Sequence, residues 1–150
     1  ALIVLFAIDL EHQILPDAIT LPGVVVGLAA SLAFPPGVWD AVLGALLGGG
    51  VLFAIGEAYY RYSGQEGMGG GDVKMLAMVG AFLGWKLVLL TLVLSSLAGS
   101  LAGLILIVSR RGNLKHALPY GTFLAMAALF ASLYGEAVVS WYMGLYVVPQ

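Results

Sequence analysis

The sequence predicts an all-α, polytopic transmembrane helix bundle of about six spans, and three observations carry that expectation. Of the 150 residues, 61% are apolar and only 9% are charged, far below the roughly one-quarter charged residues of a soluble domain. Mean hydropathy is +1.04. The apolar runs, at 1–8, 18–34, 38–60, 73–85, 86–108 and 118–148, are separated by the clusters of charge or proline.

The first run, Ala1–Ile8, falls short of the ~20 residues a bilayer requires. It reads as a truncated span, with an upstream portion outside this chain, and residues 1–150 are expected to form a single membrane domain. Pro35-Pro36-Gly37 ends the second run, because the residue before a proline avoids the helical region and proline cannot donate the next helical hydrogen bond. The stretch Met75–Val108 exceeds one membrane thickness. Gly84-Trp85-Lys86 interrupts it and is expected to divide it into two antiparallel helices, the first one short. Gly135-Glu136 is expected to break the last span in the same manner.

Cations set the orientation. Arg61, Lys74, Arg110, Arg111 and Lys115 fall in one alternating set of loops and Lys86 alone in the other, which makes the first set cytoplasmic by the positive-inside bias. Small residues four apart, Gly44-x3-Gly48 and Gly99-x3-Gly103, permit close helix approach where lipid supplies no hydrophobic drive for association. The net charge of −2 excludes the basic stripe that a nucleic-acid partner requires. The absence of cysteine excludes thiolate chemistry in this chain.

Acids at membrane depth are costly and mark function. Asp9 follows eight apolar residues, with Glu11, His12 and Asp17 close behind. In Gly64-Gln65-Glu66-Gly67-Met68-Gly69-Gly70-Gly71-Asp72, the glycines permit positive φ and close backbone approach, so an extended peptide can lie beside the loop, and Asp72 arrives at a helix start. Taken alone, Asp72 reads equally as an N-cap. Two carboxylates from two helices at one depth share a proton, and such a dyad hydrolyses a peptide by activating water. Asp17 reads as a cap for the helix near Ala18 or as a third acid. Glu57 reads as an i,i+4 partner of Arg61 or as a contact for a cationic substrate. Lys74 reads as lowering the pKa of Asp72, two residues before it, or as reaching lipid phosphates, and Glu66 as orienting Lys74 or meeting the cations of a substrate. His12 lacks the convergent ligands of a metal site, so no metal is expected.

Three segments, Asp9–Thr20, Glu66–Lys74 and Leu118–Phe123, resemble the signature segments of the prepilin peptidases, or type IV leader peptidases, which are membrane aspartic proteases of the GxGD class. The resemblance covers essentially the whole chain, residues 1–150, as a single catalytic membrane domain, with an upstream helix and cytoplasmic insertion expected outside it. It implies that Asp9 and Asp72 are the catalytic pair, and that the substrates are prepilins and pseudopilins whose basic leader is removed at the cytoplasmic face of a prokaryotic inner membrane, within a multi-pass protein surrounded by lipid. It implies no cofactor for proteolysis. In many bacterial members, N-methylation of the new N-terminus uses S-adenosylmethionine. Those members also carry an upstream Cys-x-x-Cys insertion, which has no counterpart in this cysteine-free chain. Gly67, Gly69, Gly70 and Gly71 would receive the substrate strand, while Glu57, Glu66 and Asp17 would attract the basic leader. A small transporter or channel with a cytoplasm-facing acidic cavity is the competing expectation.

Overall fold

The computed structural model describes residues 3, 7, 17–65, 69–109 and 120–146. Among these residues the chain forms four helices and no strand: α1 (Asp17–Ala30), α2 (Val38–Ser63), α3 (Gly70–Val108) and α4 (Tyr120–Tyr146). Three of them, α2, α3 and α4, are long and apolar enough to cross a membrane, whereas α1 has 14 residues. Of the first run, Ile3 and Ala7 are described, and both are helical.

The interruption expected at Gly84 is present. Gly84 has φ 79° and ψ 173°, outside the helical region, within the 39 residues of α3. The chain doubles back there: the Leu76 carbonyl oxygen and the Val88 Cγ2 lie 2.5 Å and 3.1 Å from the point a Cβ on Gly48 would occupy. In a straight helix those two residues would stand ~18 Å apart. Gly84 sits buried at the bend, and a Cβ there would lie 3.1 Å from Pro36 and 3.4 Å from Asp40. A glycine accepts this φ without the cost a side chain would add.

The first limb of α3, Gly70–Leu83, occupies the centre of the bundle. Met75, Leu76, Met78, Val79, Gly80 and Ala81 are all buried, as expected of a helix enclosed on most sides. α1 lies along it in parallel, with Asp17 bonded to Lys74, Gly23 facing Met78, and Gly27 facing Ala81 and Phe82. α2 runs antiparallel to it, with Gly44 against the Gly80 backbone and Gly48 against Leu76. The second limb carries α4, through Leu87 against Gly135 and Ser95 bonded to Tyr120. Leu52, Met75, Leu76, Val79, Val88, Leu124 and Ala128 close the shared core. Large apolar side chains such as Leu46, Phe53, Ile107 and Leu133 point outward, the surface that lipid would cover.

Three expectations need correction. α4 is continuous through Gly135 and Glu136, because Gly135 is a packing position: a Cβ there would lie 2.6 Å from Leu87. Among the described residues Gly99 meets only the edge of the Tyr120 ring, at 3.9 Å from a Cβ position, so the close approach expected of Gly99-x3-Gly103 is absent there at its first residue. The second run yields a shorter helix than 18–34, since the chain turns from Ser31 onward.

Gly80→Ala would drive a methyl group into the Gly44 backbone, and its expected cost is ~1–3 kcal/mol. Among the described residues, Gly50 has no heavy atom within 4 Å of its Cβ position outside its own helix backbone. Gly50→Ala is therefore expected to be neutral or stabilising by up to ~1 kcal/mol. Unfolding of the two variants in detergent, monitored by circular dichroism, tests the contrast.

Candidate active site

α2 ends at Gly64, whose φ of 70° places it in the left-handed region while its amide donates to the Tyr60 carbonyl at 2.8 Å. This is a common helix terminator. The chain re-enters helix at Gly69, the N-cap of α3, with φ −68° and ψ 134°. Asp72 is therefore the third residue of the helix. The N-cap reading of Asp72 is overturned: Gly69 holds that position and makes no side-chain cap bond. The Asp72 amide donates to the Gly69 carbonyl at 3.1 Å, tightening the first turn.

Asp72 is 9% exposed, and its carboxylate folds back towards the helix start, with Oδ2 3.8 Å from the position of a Cβ on Gly69. A helix N-terminus carries a partial positive charge that favours an anion there. α1 and α4 also begin at this end of the bundle, as the Asp17–Lys74 and Ser95–Tyr120 contacts require. Each places a buried threonine in its first turn, Thr20 at 0% and Thr122 at 8% exposure. The sequence gives no separate signal for the two threonines beyond their membership in the Asp9–Thr20 and Leu118–Phe123 segments that carry the resemblance.

The glycines before Asp72 require a different explanation from the conformational one. Gly69 has negative φ, and the positive-φ glycines among the described residues are Gly37, Gly64 and Gly84. Among the described residues, Gly70 has no heavy atom within 4 Å of its Cβ position beyond its own helix backbone and chain neighbours, and Gly69 has only the Asp72 carboxylate. Both are exposed. Among the described residues, what they provide is open space beside a buried acid.

Two other described acids that the sequence singled out, Glu57 and Asp17, form ion pairs within the chain. Glu57 accepts from Arg61 Nε at 2.8 Å, the i,i+4 pair expected, with the cation in the last turn of α2, where the helix dipole favours it. Asp17 accepts from Lys74 Nζ at 2.6 Å. That pairing spans 57 positions and has no signature in the sequence. Asp9, Glu11, His12, Glu66 and Gly67, together with the contact considered between Glu66 and Lys74, lie outside the described residues.

The type IV leader peptidase family model matches residues 1–104. The chain belongs to that family. It is 41% identical over 144 residues to a protein of Aeromonas salmonicida, covering 95% of this chain and 49% of the relative. It is 41% identical over 149 residues to one of Pseudomonas putida, covering 97% of this chain and 51% of the relative. For one of Legionella pneumophila the identity is 33% over 147 residues, with 97% and 51% covered. All three relatives bear the name prepilin leader peptidase/N-methyltransferase. The chain thus spans about half the length of the curated relatives it matches. No solved structure matches it.

The half-exposed Glu57–Arg61 pair is expected to contribute little stability, so Glu57→Gln should change it by less than ~0.5 kcal/mol. Tyr120→Phe removes the 3.0 Å bond to Ser95, whose hydroxyl still has the Leu92 carbonyl. Its expected cost is ~0.5–1.5 kcal/mol. Denaturant titration of both variants should rank them in that order.

Proposed function

We propose that residues 1–150 are the catalytic membrane unit of an aspartic endopeptidase that removes the basic leader of type IV prepilins and pseudopilins, with Asp9 and Asp72 as the water-activating pair. The observation carrying this reading is the placement of Asp72: a buried carboxylate in the first turn of the central helix, beside two exposed glycines on which, among the described residues, nothing packs but that carboxylate itself. A strand laid along Gly69 and Gly70 would bring its backbone next to the acid without meeting a side chain. Family membership supports the reading, and the match includes both the Asp9–Thr20 and the Glu66–Lys74 segments.

In the proposed reaction Asp72 is the base, because the helix start favours its charged form, and Asp9 holds the proton. Water gives a proton to Asp72 as its oxygen bonds to the scissile carbonyl carbon, and Asp9 protonates the carbonyl oxygen. Collapse of the tetrahedral adduct breaks the C–N bond, and a proton passes to the departing amine. Glu57 and Glu66 draw the leader's cations toward this end, while Gly67, Gly69, Gly70 and Gly71 line the strand. The end carrying Asp72 faces the cytoplasm of a prokaryotic inner membrane, and about six spans cross it when the two limbs of α3 and the run 1–8 are counted separately.

The relatives' names include N-methyltransferase, an activity that would require S-adenosylmethionine. Two cavities along the described helices do not suit that molecule. One, of about 360 Å³, is lined by Phe130, Tyr134, Ala137, Val138 and Trp141, and the other, of about 370 Å³, by Ile3, Met78, Val79, Phe82, Leu83, Leu129 and Ser132. Neither offers a carboxylate to a ribose or a sulfonium, so no methyl-transfer step is assigned to these residues.

Processing of a prepilin by the purified protein tests the proposal. Asp9→Asn and Asp72→Asn are each expected to lower kcat by at least ~10³-fold while the fold is retained. Gly70→Ala should fold normally yet raise KM several-fold. Normal cleavage by both aspartate variants would eliminate the dyad.

A further inference from the structure

We propose that the Asp17–Lys74 ion pair is a positioning clamp that holds the two acid-bearing segments of the chain together, an inference that rests on the proteolytic reading above. Lys74 lies two residues beyond Asp72 on α3, and Asp17 opens α1 eight residues after Asp9. Successive helical residues are ~100° apart, so Lys74 projects from nearly the opposite side of α3 to Asp72. Its ammonium therefore turns to α1, 2.6 Å from Asp17 Oδ2, and leaves the buried carboxylate to the other side.

The first turn of α1 depends on such a tie. Pro22 lies inside that helix, and a proline has no N–H to return to the carbonyl four residues earlier, here that of Ala18. The turn from Asp17 to Leu21 is thus held weakly by its own backbone. Above it, α1 seats on α3 through Gly23 at Met78 and Gly27 at Ala81 and Phe82. At the end where Asp72 lies, the Asp17–Lys74 pair joins the same two helices. Both side chains are partly exposed, at 56% and 38%. A pair that accessible adds little to global stability, which leaves geometry as its contribution: it sets where the chain leading back to Asp9 enters α1, relative to the turn that carries Asp72. Misplacing two reacting groups by about 1 Å lowers a rate by up to ~10²-fold.

The assignment separates Asp17 from the leader-binding acids, and kinetics distinguish the two roles. The intact protein is assayed on one prepilin with its basic leader and one with the leader's lysines changed to glutamine. Asp17→Asn and Lys74→Gln should each lower kcat about tenfold, leave KM within about twofold, and do so equally on both substrates. Joining Asp17→Lys with Lys74→Asp should restore kcat to within about threefold of wild type. A KM increase confined to the basic leader would reassign Asp17 to substrate contact. A charge-swapped double variant no better than the single variants would overturn the clamp. Where a charge variant does not fold, the double variant Asp17→Cys with Lys74→Cys replaces it; bridging by a short bis-maleimide should raise its kcat, and an unchanged kcat on bridging overturns the clamp. Asp72→Asn, run alongside, separates the two proposals: full activity there removes the proteolytic reading itself, whereas inactivity there with no rescue by the swap removes only the clamp.

Discussion

How near α2 can come to the first limb of α3 governs the rest of the bundle. Lipid is as apolar as leucine, so burying leucine against leucine yields little association energy in a membrane, and close van der Waals contact must supply it. Gly44 and Gly80 remove the side chains at the crossing, and their backbones touch. Gly48 repeats the approach one turn along, at Leu76. This contact places the limb beginning at Gly70 in the interior of the bundle, and Asp72 is buried because its helix is.

The second consequence is electrical. α1, α3 and α4 begin at the same end, and short polar side chains (Thr20, Asp72 and Thr122) occupy their first turns in buried positions. Around them the described acids and bases compensate each other locally, Asp17 with Lys74 and Glu57 with Arg61. Asp72 is the exception in location: a carboxylate inside the packing, next to glycines that expose their backbone. An acid of this kind is costly to maintain for structure alone, and among the described residues no other group packs on Gly69 or Gly70 beside it.

Local patterns were legible in advance. Gly84-Trp85-Lys86 announced a bend because a flexible residue, an interfacial aromatic and a charge interrupt an apolar run, and the bend occurs at Gly84. Glu57 and Arg61 announced their pairing because i,i+4 spacing alone places two side chains together on a helix. Relations between distant segments were not legible. Gly80 looked like any glycine in an apolar run until Gly44 was found against it. Gly135-Glu136 looked like a helix break and is a packing notch. Asp72 looked like a cap, and the two helical residues before it were invisible because Gly70 and Gly71 carry no helical signal of their own.

Composition and the spacing of apolar runs, by themselves, determined that this is a helical membrane chain. Its three motif segments determined the family, since such patterns depend only on residue identity along the chain. Which helix lies at the centre, which glycines allow contact, and which acid is paired and which is enclosed were decided by the tertiary structure alone. The physical reason is that burial and ion pairing are properties of what surrounds a residue, and for Asp17, Gly44 and Asp72 those surroundings come from other helices.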